Sequence, residues 1–210
     1  MHIPDGFLSP IITVPAYVTA APLWAHAARR HFGSAAVERL PLIGSLTALA
    51  FVIQTIMIPV PGGTSTHLVG ATLLALLFHP LVAFVCESLV LLVQALFFGA
   101  GGITVLAVNA LALGLMGPYV GWAVYRLLRS RSEKLAVFAG AYLAVQTSTL
   151  VVVGALSLQH VLAPNYFPVA PAVVLAAMMV PSLAVTGILE GIFSAAVVTL
   201  VRRSSLARGL

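Results

Sequence analysis

The residues best suited to chemistry are few and fall in two short stretches. The chain opens Met1-His2-Ile3-Pro4-Asp5-Gly6, and a second stretch reads Pro61-Gly62-Gly63-Thr64-Ser65-Thr66-His67. A free amine on Met1, the deprotonated amide nitrogen of residue 2 and the His2 imidazole can close adjoining rings on one ion, giving three nitrogens from two residues. His67 can add a fourth and complete a square plane. Such a plane suits Ni(II) or Cu(II), whereas Zn(II) prefers a tetrahedron and Mg(II) prefers oxygen. Displacing an amide proton demands a strongly polarising transition metal. Spacing alone also fits a plainer reading, in which His2 belongs to an unstructured terminus and His67 caps a helix or anchors at an interface.

Other polar groups have two readings each. Glu87 and Glu190 sit inside apolar runs, where a carboxyl is costly in lipid and must face the protein interior. They either guide a cation inward or hold its site, or they hydrogen-bond to Ser, Thr, Asn or Gln on a neighbouring helix. Asn109 and Gln94 read as packing polar groups, with Asn109 also able to orient the metal loop behind a ligand. Asp5 braces the opening hook or makes a simple turn. His160 is a collector of cations or an interfacial residue, and the scattered Met57, Met116, Met178 and Met179 read as packing. The chain has no phosphate-binding Gly-x-x-x-x-Gly-Lys-Ser/Thr loop, no His-Glu-x-x-His and no Gly-x-Ser-x-Gly, so its motifs fit capture rather than hydrolysis.

The elements that must position these groups are set by composition. Of 210 residues, 61% are hydrophobic and 7% charged, with a mean hydropathy of +1.12. An ordinary soluble domain carries roughly 25% charged residues, so the chain is a membrane protein and its net charge of +5 does not imply nucleic acid. The single Cys86 forms no intrachain disulfide. The start lacks the basic stretch of a secretory signal, and Pro4-Asp5-Gly6 favours a turn, so residues 1–7 are expected to form a structured hook. Apolar runs cover 8–28, 40–60, 67–78, 80–98, 103–127, 135–159 and 171–201. A span needs roughly 20 apolar residues, so the 12-residue third run is expected to be helix joined to buried irregular backbone, with Pro59-Val60-Pro61-Gly62-Gly63 as its irregular start.

Charge decides the number of spans. The ten Lys and Arg residues form three clusters: Arg29, Arg30 and Arg39; Arg126, Arg129, Arg131 and Lys134; Arg202, Arg203 and Arg208. The loops near 60–66, 99–102 and 160–170 carry none. Seven spans put every cluster on one face, which the positive-inside rule makes cytoplasmic; six would split them. The expectation is an all-α integral membrane protein, one domain over 1–210, with seven helices in one bundle. The N-terminus then lies outside and the C-terminus is cytoplasmic. Met1, His2 and the loop at 60–67 then share the outer face, and His26, His31 and His79 lie at the opposite one.

Met-His-Ile-Pro-Asp-Gly-Phe-Leu-Ser-Pro at 1–10 and Pro-Gly-Gly-Thr-Ser-Thr-His-Leu-Val-Gly at 61–70 resemble the two signature segments of the CbiM/NikM family of cobalt and nickel capture components. Gly101-Gly102-Ile103-Thr104 with Asn109, Met116-Gly117-Pro118 and Glu190-Gly191 extend the likeness over essentially the whole chain. Ala100 departs from the family, in which His or Asp often precedes the glycine pair. The resemblance implies seven spans, an N-terminus buried in the bundle, and metal ligands at Met1, His2 and His67, with Asp5, Ser65, Asn109 and Glu190 as supporting or pathway residues. It implies a non-enzymatic component of an energy-coupling-factor (ECF) importer, with Ni2+ or Co2+ as cargo and no cofactor. The implied partners are a transmembrane coupling subunit, cytoplasmic ATPase subunits and a small accessory membrane subunit, in the lipid of a bacterial or archaeal cell membrane. Pro4-Asp5-Gly6 and the Gly-Gly-Thr-Ser-x-His loop lean toward the nickel type.

Two rival readings need different residues. A capture component for an organic vitamin needs an aromatic or apolar cavity, and only 8% of residues are aromatic. An intramembrane enzyme working through Glu87, Glu190 or His79 needs a catalytic pair at matched depth, which the sequence does not provide.

Overall fold

The structure, a computed structural model, describes residues 2–60 and 64–203; Met1, Pro61 to Gly63 and Arg208 lie outside them. The helices are α1 (Pro10–His31), α2 (Leu40–Gln54), α3 (Ala71–Leu77), α4 (Pro80–Phe98), α5 (Leu106–Leu128), α6 (Glu133–Leu162) and α7 (Pro171–Arg203). All but α3 belong to segments long and apolar enough to cross a bilayer.

Three expectations need correction. The run 40–60 is helical only to Gln54, because Pro59 has no N–H for a helix interior. Ile58–Val60 instead forms β1 and pairs antiparallel with β2 (Thr64–Thr66), Ile58 opposite Thr66. The fold is thus helical with one small hairpin rather than strictly all-α. The expected third helix over 67–78 shortens to seven residues, because the chain stays non-helical through Gly70, whose φ of +74° is left-handed. That conformation is unstrained for glycine alone, and a Cβ there would also press on Ala50 and Ile53 at 3.1 Å.

Contacts at the helix ends nonetheless carry the chain from one end of the bundle to the other between residues 67 and 79. The His2 and His67 rings lie 5.2 Å apart, close to the start of α1, which runs 22 residues or about 33 Å at 1.5 Å per residue. At the far end of α1, His31 stacks on His79 at 4.6 Å. The non-helical residues 64–70 and the short α3, buried along its first six residues, therefore do together what a regular span does elsewhere. Irregular backbone at such depth persists only where protein satisfies it.

The same contacts sort the ends. Gln159 near the end of α6 meets Ser9, and Gly101 after α4 adjoins His2. At the other end Arg126 covers Trp122, Trp122 adjoins His79, and Arg202 pairs with Glu133. The described basic residues thus lie at the end opposite the His2 and His67 rings.

Packing is tightest between α5 and α6, where a Cβ on Gly121 would stand 2.8 Å from the Gly140 carbonyl oxygen; small residues allow such backbone approach in membranes. Helix α1 lies on the flank, burying only Thr13, Ala20 and Ala27, one residue every seven. Its Trp24 stacks on Phe84 and donates to Ser88 Oγ at 2.8 Å. Two helices carry π-helical turns, at Ala110–Met116 in α5 and Ser182–Thr186 in α7. Side chains of α6 take up carbonyls in both: Ser148 Oγ donates to Ala112 O at 2.9 Å, and Gln146 Nε2 to Ser182 O at 3.1 Å.

Candidate metal centre

The hook is fastened at three points. Ile3, 1% exposed, is gripped by Asn109 of α5: Oδ1 accepts from the Ile3 N–H at 2.8 Å, and Nδ2 donates to the Ile3 carbonyl at 2.9 Å. Asp5 then receives the loop that follows α4. Its Oδ1 accepts from Thr104 N at 2.9 Å and Thr104 Oγ1 at 2.5 Å, and its Oδ2 from Ile103 N at 3.1 Å. Further on, Ser9 N donates to Gln159 Oε1 at 2.7 Å. Asp5 is therefore a brace between hook and loop. Asn109 holds the hook, whereas the sequence suggested the metal loop; the correct partner lies 106 residues away, a pairing no local pattern reveals.

The loop bearing His67 is fastened just as firmly. Glu190 of α7 accepts from Val69 N at 2.8 Å through Oε2 and from Gly70 N at 2.7 Å through Oε1. From the other side Gln54 of α2 donates to the Val69 carbonyl at 2.7 Å. The Thr66 and Thr186 hydroxyls hydrogen-bond to one another. Gln54 Nε2 also lies 3.0 Å from both Glu87 oxygens, and its Oε1 accepts from Gln94. Glu87 thus takes the plainer of its two readings, a hydrogen bond to a neighbouring helix. Gln54 is the residue sequence reasoning missed; its signal was a lone amide inside an otherwise apolar run.

The two fastened pieces face each other across an opening of about 500 Å³, lined by His2, Ser65, His67 and Ala100 and otherwise mostly by apolar side chains such as Phe167 and Met178. His67 is 2% exposed. Its Nδ1 lies 2.9 Å from the Leu68 carbonyl oxygen and so must carry the proton, which leaves a lone pair on Nε2. His67 Nε2 and His2 Nδ1 are both shut away from solvent, with no hydrogen-bond partner among the described residues. Buried polar atoms are ordinarily satisfied, so these two orphaned imidazole nitrogens on adjoining rings are the groups here that could hold a Lewis acid. Burial, with His67 close by, pushes the His2 imidazole down to about 2, so the ring is neutral and able to donate a lone pair.

Among the described residues no three His, Cys, Asp or Glu side chains cluster as metal ligands. Two imidazoles alone leave a transition metal short of donors. Ser65 lines the opening, but its Oγ reaches Met57 Sδ at 3.9 Å. His160 donates from Nδ1 to the Phe167 carbonyl, 3.1 Å away, and His31 and His79 pair at the far end.

The fold and site define a multi-pass helical membrane protein with a mostly apolar chamber lined by two imidazoles, His2 and His67. Comparison with known proteins gives the family. Residues 2–207 match the family model CbiM, the cobalt uptake substrate-specific transmembrane region. A provisionally named metal transport protein of Methanocaldococcus jannaschii is 37% identical over 205 residues, 97% of this chain and 92% of that protein. The fused nickel transport protein NikMN of Rhodobacter capsulatus is 33% identical over 217 residues, 98% of this chain; the chain spans 62% of that fused protein's length. The crystal structure of a truncated transition metal transporter superposes with a TM-score of 0.90 at 34% identity, covering 97% of this chain and 99% of that one. The chain belongs to the CbiM family. It is a multi-pass membrane transport component and not an enzyme, as its family and its relatives' names state.

Proposed function

We propose that the chain captures Ni2+ or Co2+ for an ECF-type importer, holding the ion in a plane of four nitrogens. The donors are the Met1 amine, the amide nitrogen of residue 2, His2 Nδ1 and His67 Nε2. The observation that carries this reading is the pair of buried, unpartnered nitrogens. His2 Nδ1 is the ring nitrogen that can close a six-membered ring with its own amide, and His67 Nε2 is the one its Leu68 bond leaves free. Asn109 occupies the Ile3 N–H, so chelation along the backbone stops at residue 2 and leaves one corner of the plane for His67.

The positive-inside rule applied to seven crossings supports an outer hook and His67 and a cytoplasmic basic end. There a coupling subunit and ATPases would act on the chain, and a small accessory membrane subunit completes the assembly. The name of the fused relative, NikMN, is in keeping with an M unit and an N unit that work together. Asp5, Asn109 and Ser65 belong to the site as supports of the ligands and lining of the chamber.

The test is nickel titration of the untagged protein with its absorption spectrum. Tight stoichiometric binding with a square-planar spectrum, lost in His67→Ala, is expected. Tight planar binding that survives His67→Ala removes His67 from the site, and vitamin binding in place of metal binding selects the rival reading.

A further inference from the structure

We infer that Glu190 is a positioning residue for His67: through the Val69 and Gly70 amides it fixes where His67 Nε2 points, and so ties the metal site to α7. This rests on the proposed nickel or cobalt reading.

The backbone between His67 and α3 is neither helix nor strand, so its N–H groups have no local partners, and at this depth water cannot replace them. Glu190 is 0% exposed and satisfies two consecutive amides with its two oxygens, at 2.8 and 2.7 Å. A carboxyl taking two neighbouring N–H groups defines the rotation of that backbone as well as its position, because both bonds must stay aligned. Val69 is two residues from His67, and Gln54 holds the opposite side of the same residue at its carbonyl. Thr66, on the other flank of His67, is held by Thr186. Both flanks of the ligand are therefore tied to α7, at positions 186 and 190, one turn apart on the same face.

Helix α7 is itself irregular at this point. Its π-helical turn ends at Thr186, and α6 braces it: Ser182 Oγ donates to Gln146 Oε1 at 2.9 Å, and Tyr142 to the Leu183 carbonyl at 3.3 Å. π-Helical turns concentrate at functional sites because the added residue re-aims those that follow. Here the residues re-aimed are those that hold the His67 loop. Partners that orient a metal ligand typically govern affinity by about 10–100-fold.

The experiment uses the untagged full chain in four forms: unmodified, E190Q, H67A and the double variant. Glutamine keeps the volume but sets an NH2 against one of the two amides. E190Q should weaken Ni2+ binding about 10–100-fold and erode the planar spectrum. In the H67A background it should add less than about twofold, since Glu190 acts only through His67. Equal losses in both backgrounds, or no loss in E190Q beside tight wild-type binding, overturn the inference. Hydrogen exchange across 66–70 without metal separates the clamp from the metal reading. Faster exchange in E190Q supports the clamp even if the unmodified chain binds no nickel, and unchanged exchange overturns it. If E190Q does not fold, T186V tests the other tie: weaker nickel binding with faster exchange supports the inference, and unchanged values of both overturn it.

Discussion

Asn109 and Ile3 meet as two strands of a sheet would, the side-chain amide of one taking both the N–H and the C=O of the other at 2.8 and 2.9 Å. A single side chain thereby replaces the backbone partners that Ile3 lacks, and it does so next to His2. Loss of both bonds leaves two buried polar groups unsatisfied, at about 1–3 kcal/mol each. Asn109→Ala should lower nickel affinity by at least about tenfold, with little change in helix content. Asn109→Asp retains the acceptor but sets an oxygen against the Ile3 carbonyl and should do no better. Calorimetric titration of both variants checks this; wild-type affinity in either would mean that the hook docks without Asn109.

Gly102 tests the hook from the other side without touching a ligand. A Cβ there would lie 2.0 Å from Asp5 Oδ1 and 2.7 Å from Asp5 N, distances at which something must move. Gly102→Ala should displace Asp5, release the hook and weaken metal binding, while Gly154→Ala, where a Cβ meets nothing within 4 Å, should leave it unchanged. Equal affinities in the two variants would show that the Asp5 brace does not support the site.

How much of this was written in the sequence depends on the range of the interaction. The long apolar runs mark the crossing helices because burial in lipid is decided residue by residue, and the basic clusters gather at one end of the bundle by the same local logic. Pro59 carries a backbone constraint that cut α2 short, yet the hairpin after it depends on pairing Ile58 with Thr66, which hydropathy does not see. The π-helical turns were invisible because they use the residues of ordinary helices and owe their stability to Ser148 and Gln146 on α6. His2 and His67 stood out through chemistry and resemblance. The residues holding their backbones, Asn109, Gln54 and Glu190, were visible only as polar groups in apolar runs, each with a partner too distant in sequence to be read.

Blocking the Met1 amine should be nearly as damaging as losing His67. Acetylation removes one donor of the proposed set, and residues added ahead of Met1 take the terminal amine out of chelating register with His2. An N-terminally extended protein should lose the planar nickel spectrum while keeping its fold and thermal stability. A protease that restores the native start should restore the spectrum, and an extended protein with an unaltered spectrum would remove the amine from the ligand set.

The pH dependence of binding follows from which donors still carry protons when the ion arrives. His2 is pushed by burial from its ordinary 6.5 down to about 2, and among the described residues His67 Nε2 has no hydrogen-bond partner to accept a second ring proton. Neither imidazole has a proton to give up in the docked site near neutrality. The amide loses one, and a terminal amine with an ordinary value of about 7.7–8.0 loses most of another at pH 7. Metal binding should therefore release about two protons at pH 7 and about one at pH 9. Titration in buffers of different ionisation enthalpy measures the count, and three or more at pH 7 would mean charged rings. Below 6.5 a second effect enters with a definite sign. The released hook takes up a proton on His2 that the docked hook refuses, so docking is complete above 6.5 and is progressively lost as the pH falls toward about 2. Affinity should decline from pH 8 downward through the amine and amide, then steepen below 6.5 as the hook lets go. His2→Ala should lose the steep limb along with most of the binding, and a wild-type profile that is flat between roughly pH 8 and 5 would rule out nitrogen ligation.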